Sequence, residues 1–261
     1  MSNMQINLSV VLPTINEAEN LQFLIPNIYE ISKSYISTIE IIVVDDGSTD
    51  KTEDVILNLQ KKYKNLKLIK RTQQPSLPMS IWEGVGLATQ EFVMWLDADG
   101  SMTIDGVKSM ILKLKQNPTS IVIGSRFVEN GGYKGVKKDD SNILSAIRRV
   151  YISEDSVIAV LLSKIFNSFI RLFINSGVKD VTSGFIVGKK EYFSEMPFKI
   201  ASYGDYFIYL IRDFKSKNIN MIEVGYICET RKSGVSKSGT EFKILFKRAL
   251  PYFKAAFKVI N

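Results

Sequence analysis

The 261-residue chain contains no histidine and only one cysteine, Cys228. Without histidine the usual neutral-pH general base and the commonest transition-metal ligand are missing. Any metal must then be a hard ion taken by oxygen ligands: magnesium, manganese or calcium. Ser/His/Asp and Cys/His constellations are excluded as well, which leaves acid or base work to carboxylates or lysines. A lone cysteine can close no internal disulfide and build no thiolate zinc site, and this suits a reducing compartment. Long uninterrupted apolar runs are also scarce. The longest, Val157 to Ile174, approaches the roughly 20 residues that a membrane span needs. Lys164, Asn167 and Arg171 interrupt it at helical spacing on one face, so the pattern predicts an amphipathic helix and not a span. Met1 to Asn7 is polar and lacks a charged stretch followed by an apolar one, pointing to a cytoplasmic start without a signal peptide. No P-loop signature occurs, and Gly84-Val85-Gly86 falls inside a predicted helix, which argues against a dinucleotide loop.

What is present is an ordinary globular composition, 45% hydrophobic and 23% charged, with a formal net charge of +7. That charge favours anionic partners: nucleic acid, phosphorylated small molecules or an acidic membrane surface. Nucleic acid fits poorly, because the basic residues do not interleave with aromatics on any predicted sheet face.

Apolar runs alternate with helical patterns. Leu8–Leu12, Ile39–Val44, Leu66–Ile69, Phe92–Leu96 and Ile121–Ile123 read as strands. Glu17–Lys33, Thr52–Tyr63, Met79–Ala88 and Ile104–Leu114 read as helices between them. Such alternation predicts an α/β fold with a mostly parallel, Rossmann-like sheet and helices on both faces. Ligands gather outside the carboxyl ends of such strands, so Pro13-Thr14, Asp45-Asp46, Asp97-Ala98-Asp99 and Ser125-Arg126 are expected to converge on one crevice. Residues 129–156 read as a loop or insertion. Further on, a turn at Asp180–Gly184, a helix near Tyr206–Lys215 and a strand near Met221–Cys228 are expected. The chain divides into a catalytic domain over 1–240, with the amphipathic helix at 157–174, and a basic amphipathic tail over 241–261. Phe242, Phe246, Phe253 and Phe257 form one stripe of that tail, and Pro251 is expected to kink or break it. Membrane-surface contact is the favoured role of the tail, packing onto the domain the alternative.

Asp97 and Asp99 directly follow an apolar strand, and a turn there lets both carboxylates approach one ion shared with a diphosphate. The plainer role is a strand-terminating turn whose acids cap the next helix. Asp45-Asp46-Gly47-Ser48 is equally a turn, with Ser48 or Asp50 capping the following helix. Arg126, Arg231, Lys232 and Lys237 provide cations for phosphate oxygens, or merely a solvated surface.

Taken together, Ser9-Val10-Val11-Leu12-Pro13-Thr14-Ile15-Asn16-Glu17, Val43-Val44-Asp45-Asp46-Gly47-Ser48-Thr49-Asp50, Leu96-Asp97-Ala98-Asp99 and Ile123-Gly124-Ser125-Arg126 resemble family 2 glycosyltransferases. Asp180-Val181-Thr182-Ser183-Gly184-Phe185 and Arg231-Lys232-Ser233-Gly234-Val235-Ser236-Lys237 resemble its polyprenyl-phosphate, or dolichol-phosphate, mannosyl- and glucosyltransferase branch. The resemblance implies an A-type glycosyltransferase fold. It implies that Pro13, Thr14, Glu17, Asp45 and Asp46 bind the nucleoside of a GDP-mannose or UDP-glucose type donor, with Asp97, Ala98 and Asp99 completing the nucleotide-sugar site. Asp97 and Asp99 would hold Mg2+ or Mn2+, and Arg126, Arg231 and Lys237 would meet phosphates. Ser163, Thr182, Ser183 and Gly184 would border a polyprenyl phosphate acceptor, with Asp99, Asp180 and Asp205 in catalytic roles. Because a phosphate acceptor is already anionic, it needs no base, whereas a saccharide hydroxyl would require Asp180 or Asp205 to take its proton. A non-catalytic nucleotide-sugar-binding scaffold is the remaining alternative. The expected location is cytoplasmic and peripheral, on the cytoplasmic membrane face. The sequence departs from the branch where Pro75-Ser76-Leu77-Pro78 replaces a glycine-rich stretch, and where no arginine shortly precedes Ser163.

Overall fold

The computed structural model describes residues 6–134, 165–172, 174, 176–229 and 250–256. The chain begins β1 (Asn7–Thr14), α1 (Ala18–Ser32), β2 (Thr38–Asp45), α2 (Thr52–Lys62), β3 (Leu66–Lys70), α3 (Leu77–Leu87), β4 (Phe92–Trp95), α4 (Ile104–Gln116) and β5 (Ile121–Ser125). There follow β6 (Gly132–Tyr133), β7 (Ile186–Lys189), a short helix α5 (Met196–Lys199), α6 (Tyr206–Ser216), β8 (Met221–Gly225) and β9 (Ile227–Cys228). Residues 165–172 and 250–256 are also helical.

Seven strands form one sheet in the order β3-β2-β1-β4-β7-β5-β8, and β6 pairs with β9 in a separate ribbon. Every large-sheet pairing is parallel except the two made by β7, which runs antiparallel to both β4 and β5. The alternation of β1 explains the layering. Leu8, Val10 and Leu12 face a core with Leu21, Ile25 and Ile28 of α1 and Val107, Ile111 and Leu114 of α4. Val11 faces the opposite core with Ile81 and Val85 of α3 and Phe207 and Ile211 of α6. Side chains two apart point the same way from a strand, so a nearly continuous apolar run serves a sheet covered on both sides.

The reversed strand positions the site. Because β7 enters from the edge where β4 and β5 end, the segment 180–185 lies at the carboxyl ends of its neighbours. Trp95 and Ile123 both pair with Ile186, and Gly124 N donates to Phe185 O at 2.9 Å. Strand spacing places the ends of β4 and β5 about 10 Å apart, with the 180–185 segment between them.

Two expectations change in the helical segments. Asn167 was expected on a polar face with Lys164 and Arg171. It is instead buried, with its Nδ2 donating to Lys179 O and its Oδ1 accepting Val181 N at 2.9 Å. The polar atoms of Asn167 are consumed by the 179–181 backbone; Arg171 is exposed as expected, and Ile165, Phe169 and Leu172, at i, i+4 and i+7, are exposed with it. In the tail, residues 250–256 are helical, with Pro251 in the first described turn, and Ala255 and Ala256 are fully buried. Phe253 packs edge-on against Phe166 and Phe169 at 5.3 and 5.5 Å. This stretch therefore packs onto the domain. The other tail phenylalanines, and most of the 129–156 segment, lie outside the described residues.

Candidate active site

The acidic motif after β4 is a held turn. Asp99 is buried and its Oδ1 accepts Ser101 N at 2.9 Å, while Gly100 reverses the chain at φ 76°, where a side chain would be strained. Asp97 N donates to Met102 Sδ at 3.3 Å, and Glu229 N donates to Ser101 O at 2.9 Å, tying the turn to the end of β9. The helix-capping role, the alternative for these acids, is taken by Thr103, whose Oγ1 accepts Gly106 N at 3.2 Å at the start of α4. Among the described residues no three metal-ligating side chains gather at one point. Asp97 and Asp99, two residues apart on this turn, nevertheless supply the oxygen ligands that suit magnesium or manganese, ions that take one or two protein carboxylates and complete their shell with substrate phosphate oxygens and water.

The loops after β1 and β2 are locked together. Asp46 N donates to Thr14 O at 2.8 Å, and Asp45 Oδ1 accepts Ser48 N and Ser48 Oγ at 3.0 and 2.5 Å. Asn16, in left-handed backbone at φ 56°, accepts Thr49 N at 2.7 Å while its own N donates to Ser48 Oγ at 2.8 Å. The Asp50 carboxylate accepts Ala18 N at 3.2 Å and Thr52 N at 2.9 Å, so one residue caps both α1 and α2. Burial works to raise the Asp50 pKa, but its donors from Thr52 and Ala18 outweigh burial and bring it below its usual value. Pro13 is buried and Glu17 half-buried at the same strand end, with Glu17 N donating to Thr52 Oγ1 at 3.1 Å.

One cation at this end was not anticipated. Arg71, the first residue after β3, is buried, ion-paired to Asp46 Oδ1 and at 2.9 Å to Glu83 Oε1. Ser76 N donates to Asp46 Oδ2 at 2.6 Å, so both oxygens of Asp46 are engaged. Burial would lower the Arg71 pKa, but Glu83 and Asp46 more than offset it and raise it. The divergent Pro75–Pro78 stretch thus has a local purpose, because Ser76 both reaches Asp46 and caps α3, and Pro78 occupies the first turn of that helix. Applying the strand-end rule to β3 as well would have identified Arg71.

At the other end, Arg126 and Asp180 form a bidentate pair: Nε to Oδ2 at 2.8 Å and Nη2 to Oδ1 at 2.7 Å, with Arg126 N donating to Oδ2 at 2.9 Å. Nη2 also donates to Thr182 Oγ1 at 3.0 Å, and the guanidinium lies over Phe127 and Tyr133. Burial opposes the Arg126 charge, yet Asp180 raises its pKa well above the ordinary value. The Asp180 and Lys179 amides donate to Glu223 of β8 at 2.9 and 2.7 Å, and Ser183 Oγ donates to Gly124 O. Arg126, expected as a phosphate cation, therefore has a carboxylate as its first partner. Asp180, expected as a possible base, has both oxygens engaged. Asp205 is also buried, and it accepts Ser202 N at 3.1 Å and Tyr203 N at 2.7 Å. Beside it, Tyr206 accepts Trp95 Nε1 at 3.2 Å, and burial and the Asp97 charge push its pKa well up, so it stays a neutral phenol. Ser163, Arg231, Lys232 and Lys237 lie outside the described residues.

A sequence profile described as Glycosyl transferase family 2 matches residues 9–196, a stretch that includes the ends of β1, β2, β4 and β5 and the 180–185 segment. The chain belongs to glycosyl transferase family 2. This family 2 chain is 29% identical over 229 residues to a dolichol-phosphate mannosyltransferase of Pyrococcus furiosus, a match covering 88% of the chain and 58% of that relative. It is 35% identical over 128 residues to a dolichyl-phosphate beta-glucosyltransferase of Trichomonas vaginalis, covering 46% of the chain and 40% of the relative. The chain thus spans about half the length of the curated relatives it matches. Its fold is that of glucosyl-3-phosphoglycerate synthase from Mycobacterium tuberculosis, solved with Mn2+, uridine diphosphate and phosphoglyceric acid. The TM-score is 0.62 at 17% identity, covering 98% of this chain and 79% of that one.

Proposed function

We propose that this family 2 chain is the catalytic part of an inverting glycosyltransferase that moves a hexose from a nucleoside diphosphate sugar to a polyprenyl, or dolichyl, phosphate. The observation carrying this reading is that, among the described residues, the two carboxylates the sequence offered as a base are committed: Asp180 to Arg126, and Asp205 to the amides of Ser202 and Tyr203. A hydroxyl acceptor would need one of them unburdened to take its proton. A phosphate acceptor brings its own negative oxygen and needs neither. The names of the curated relatives support the same acceptor class.

In this reading the nucleoside of a GDP-mannose or UDP-glucose type donor rests on Pro13, Thr14, Glu17, Asp45 and Asp46, with Arg71 fixing the Asp46 carboxylate. Asp97 and Asp99 hold Mg2+ or Mn2+, and Ala98 lies against the donor between them. A bound divalent ion would neutralise charge developing on the departing diphosphate. Thr182, Ser183 and Gly184 border the acceptor, and the Arg126–Asp180 pair presents the phosphate with a cation whose orientation is already fixed. Ser163, Arg231 and Lys237 would add contacts to phosphate. No helix among the described residues is long and apolar enough to cross a membrane. The exposed stripe Ile165, Phe169 and Leu172, with a net charge of +7, supports peripheral attachment to an anionic cytoplasmic leaflet.

The donor half is tested by calorimetric titration of UDP and GDP with and without Mg2+ or Mn2+. One nucleotide is expected to bind in a metal-dependent way, and Asp97→Ala and Asp99→Ala should each weaken it by about tenfold or more while melting cooperatively. Equal, metal-independent binding by wild type and both variants would contradict the assignment.

A further inference from the structure

The helical stretch 250–256 reaches the 202–205 turn through the Tyr252 side chain, and that turn leads into Tyr206, whose hydroxyl lies beside Gly184. A methyl group added at Gly204 would collide with the Tyr252 hydroxyl and come within 3.0 Å of its Cζ. The ring and hydroxyl of Tyr252 therefore occupy the space a side chain at position 204 would take, directly over the residue preceding Asp205. The ring is held from behind, edge-on to Phe166 at 5.5 Å and 83°. Below it, the Ser202 and Tyr203 amides donate to the Asp205 carboxylate, so the turn 202–205 carries its own polar ties beneath the Tyr252 ring. Burial, with the neighbouring Tyr203 and Asp205 charges, raises the Tyr252 pKa, and the hydroxyl stays protonated.

We propose that Tyr252 is a positioning residue that wedges over Gly204, holds the 202–205 turn and so shapes the acceptor end of the site. This rests on the acceptor reading given above, and it makes the C-terminal helix part of the catalytic unit. Tyr252 acts through the turn and touches no reacting atom.

The test compares wild type with Tyr252→Ala, Tyr252→Phe, Gly204→Ala and the Gly204→Ala/Tyr252→Ala pair. Hydrogen exchange of the Ser202 and Tyr203 amides is expected to quicken by roughly tenfold in Tyr252→Ala, while β1 amides keep their protection. With a short polyprenyl phosphate, Tyr252→Ala and Gly204→Ala should each raise the acceptor KM by roughly tenfold and leave the donor KM within about twofold. The double variant should be no worse than the poorer single one, because without the Tyr252 ring the methyl added at Gly204 has nothing to collide with. Tyr252→Phe, keeping the ring, should recover most of the loss. Unchanged exchange at 202–203, multiplying effects in the double variant, or donor and acceptor KM rising together would overturn the proposal. If wild type forms no lipid product, the acceptor reading fails, and the exchange experiment still decides whether Tyr252 holds the turn.

Discussion

Single side chains in this molecule divide into those that face the crevice and those that hold the frame, and Glu40 shows how the second kind is recognised. It is buried in β2, where it accepts Ser9 Oγ and Thr89 N, each at 2.5 Å, and pairs with Lys67 Nζ at 2.7 Å. Burial pushes its pKa up, but Lys67, Ser9 and Thr89 outweigh burial, and the carboxyl titrates below its ordinary value. A depressed folded pKa means the unfolded chain binds the proton first as pH falls. The contribution of Glu40 is thus complete above its unfolded pKa and lost as pH drops through the folded one. Chemical denaturation from pH 7 down to about pH 3 is expected to find Glu40→Gln less stable at neutrality and the gap closing on acidification; a constant gap would contradict this. Asp97, Asp99, Asp45 and Asp46 were legible in the sequence because acids directly after an apolar β-run have few reasons to be there. Glu40, Arg71 and Tyr252 were not, since each takes its meaning from a partner distant in the chain.

Whole elements were legible in proportion to their regularity. The repeated strand-helix units through β5 stand where the periodicity placed them, within a residue or two at most ends, because long periodic runs dominate local propensity. β7 escaped notice: Ile186-Val187-Gly188-Lys189 is four residues with a glycine inside, and its pairing partners β4 and β5 are remote in sequence. That strand matters most for the site, since its reversed direction brings Asp180–Gly184 to the crevice. The 165–172 helix supports this segment through Asn167, whose amide serves Lys179 and Val181. Asn167→Leu strands two backbone groups and should cost about 1–3 kcal/mol, read as a lowered melting temperature with faster exchange at Val181. Wild-type exchange there would argue that the segment is held by Glu223 and Arg126 alone.

At the scale of the molecule, six strands running one way concentrate polar termini on one edge, while both sheet faces are closed by apolar packing. The candidate site lies on that edge, where the family motifs, the acidic turns and the Arg126–Asp180 pair stand. Outside it, the exposed apolar stripe on 165–172 is the feature a membrane surface would explain. Leu172, 79% exposed, is its most prominent member. Leu172→Glu is expected to reduce co-sedimentation with vesicles containing anionic phospholipid without changing the melting temperature, and undiminished binding would assign attachment to other surfaces. The acceptor is the centre of the account and has a direct test: incubate the protein with GDP-mannose, UDP-glucose or related donors, a short polyprenyl phosphate and Mg2+ or Mn2+, and weigh the lipid by mass spectrometry. The account predicts one hexose added to the lipid phosphate with a single preferred donor. Donor turnover that leaves the lipid phosphate unmodified and glycosylates a saccharide hydroxyl instead would contradict it.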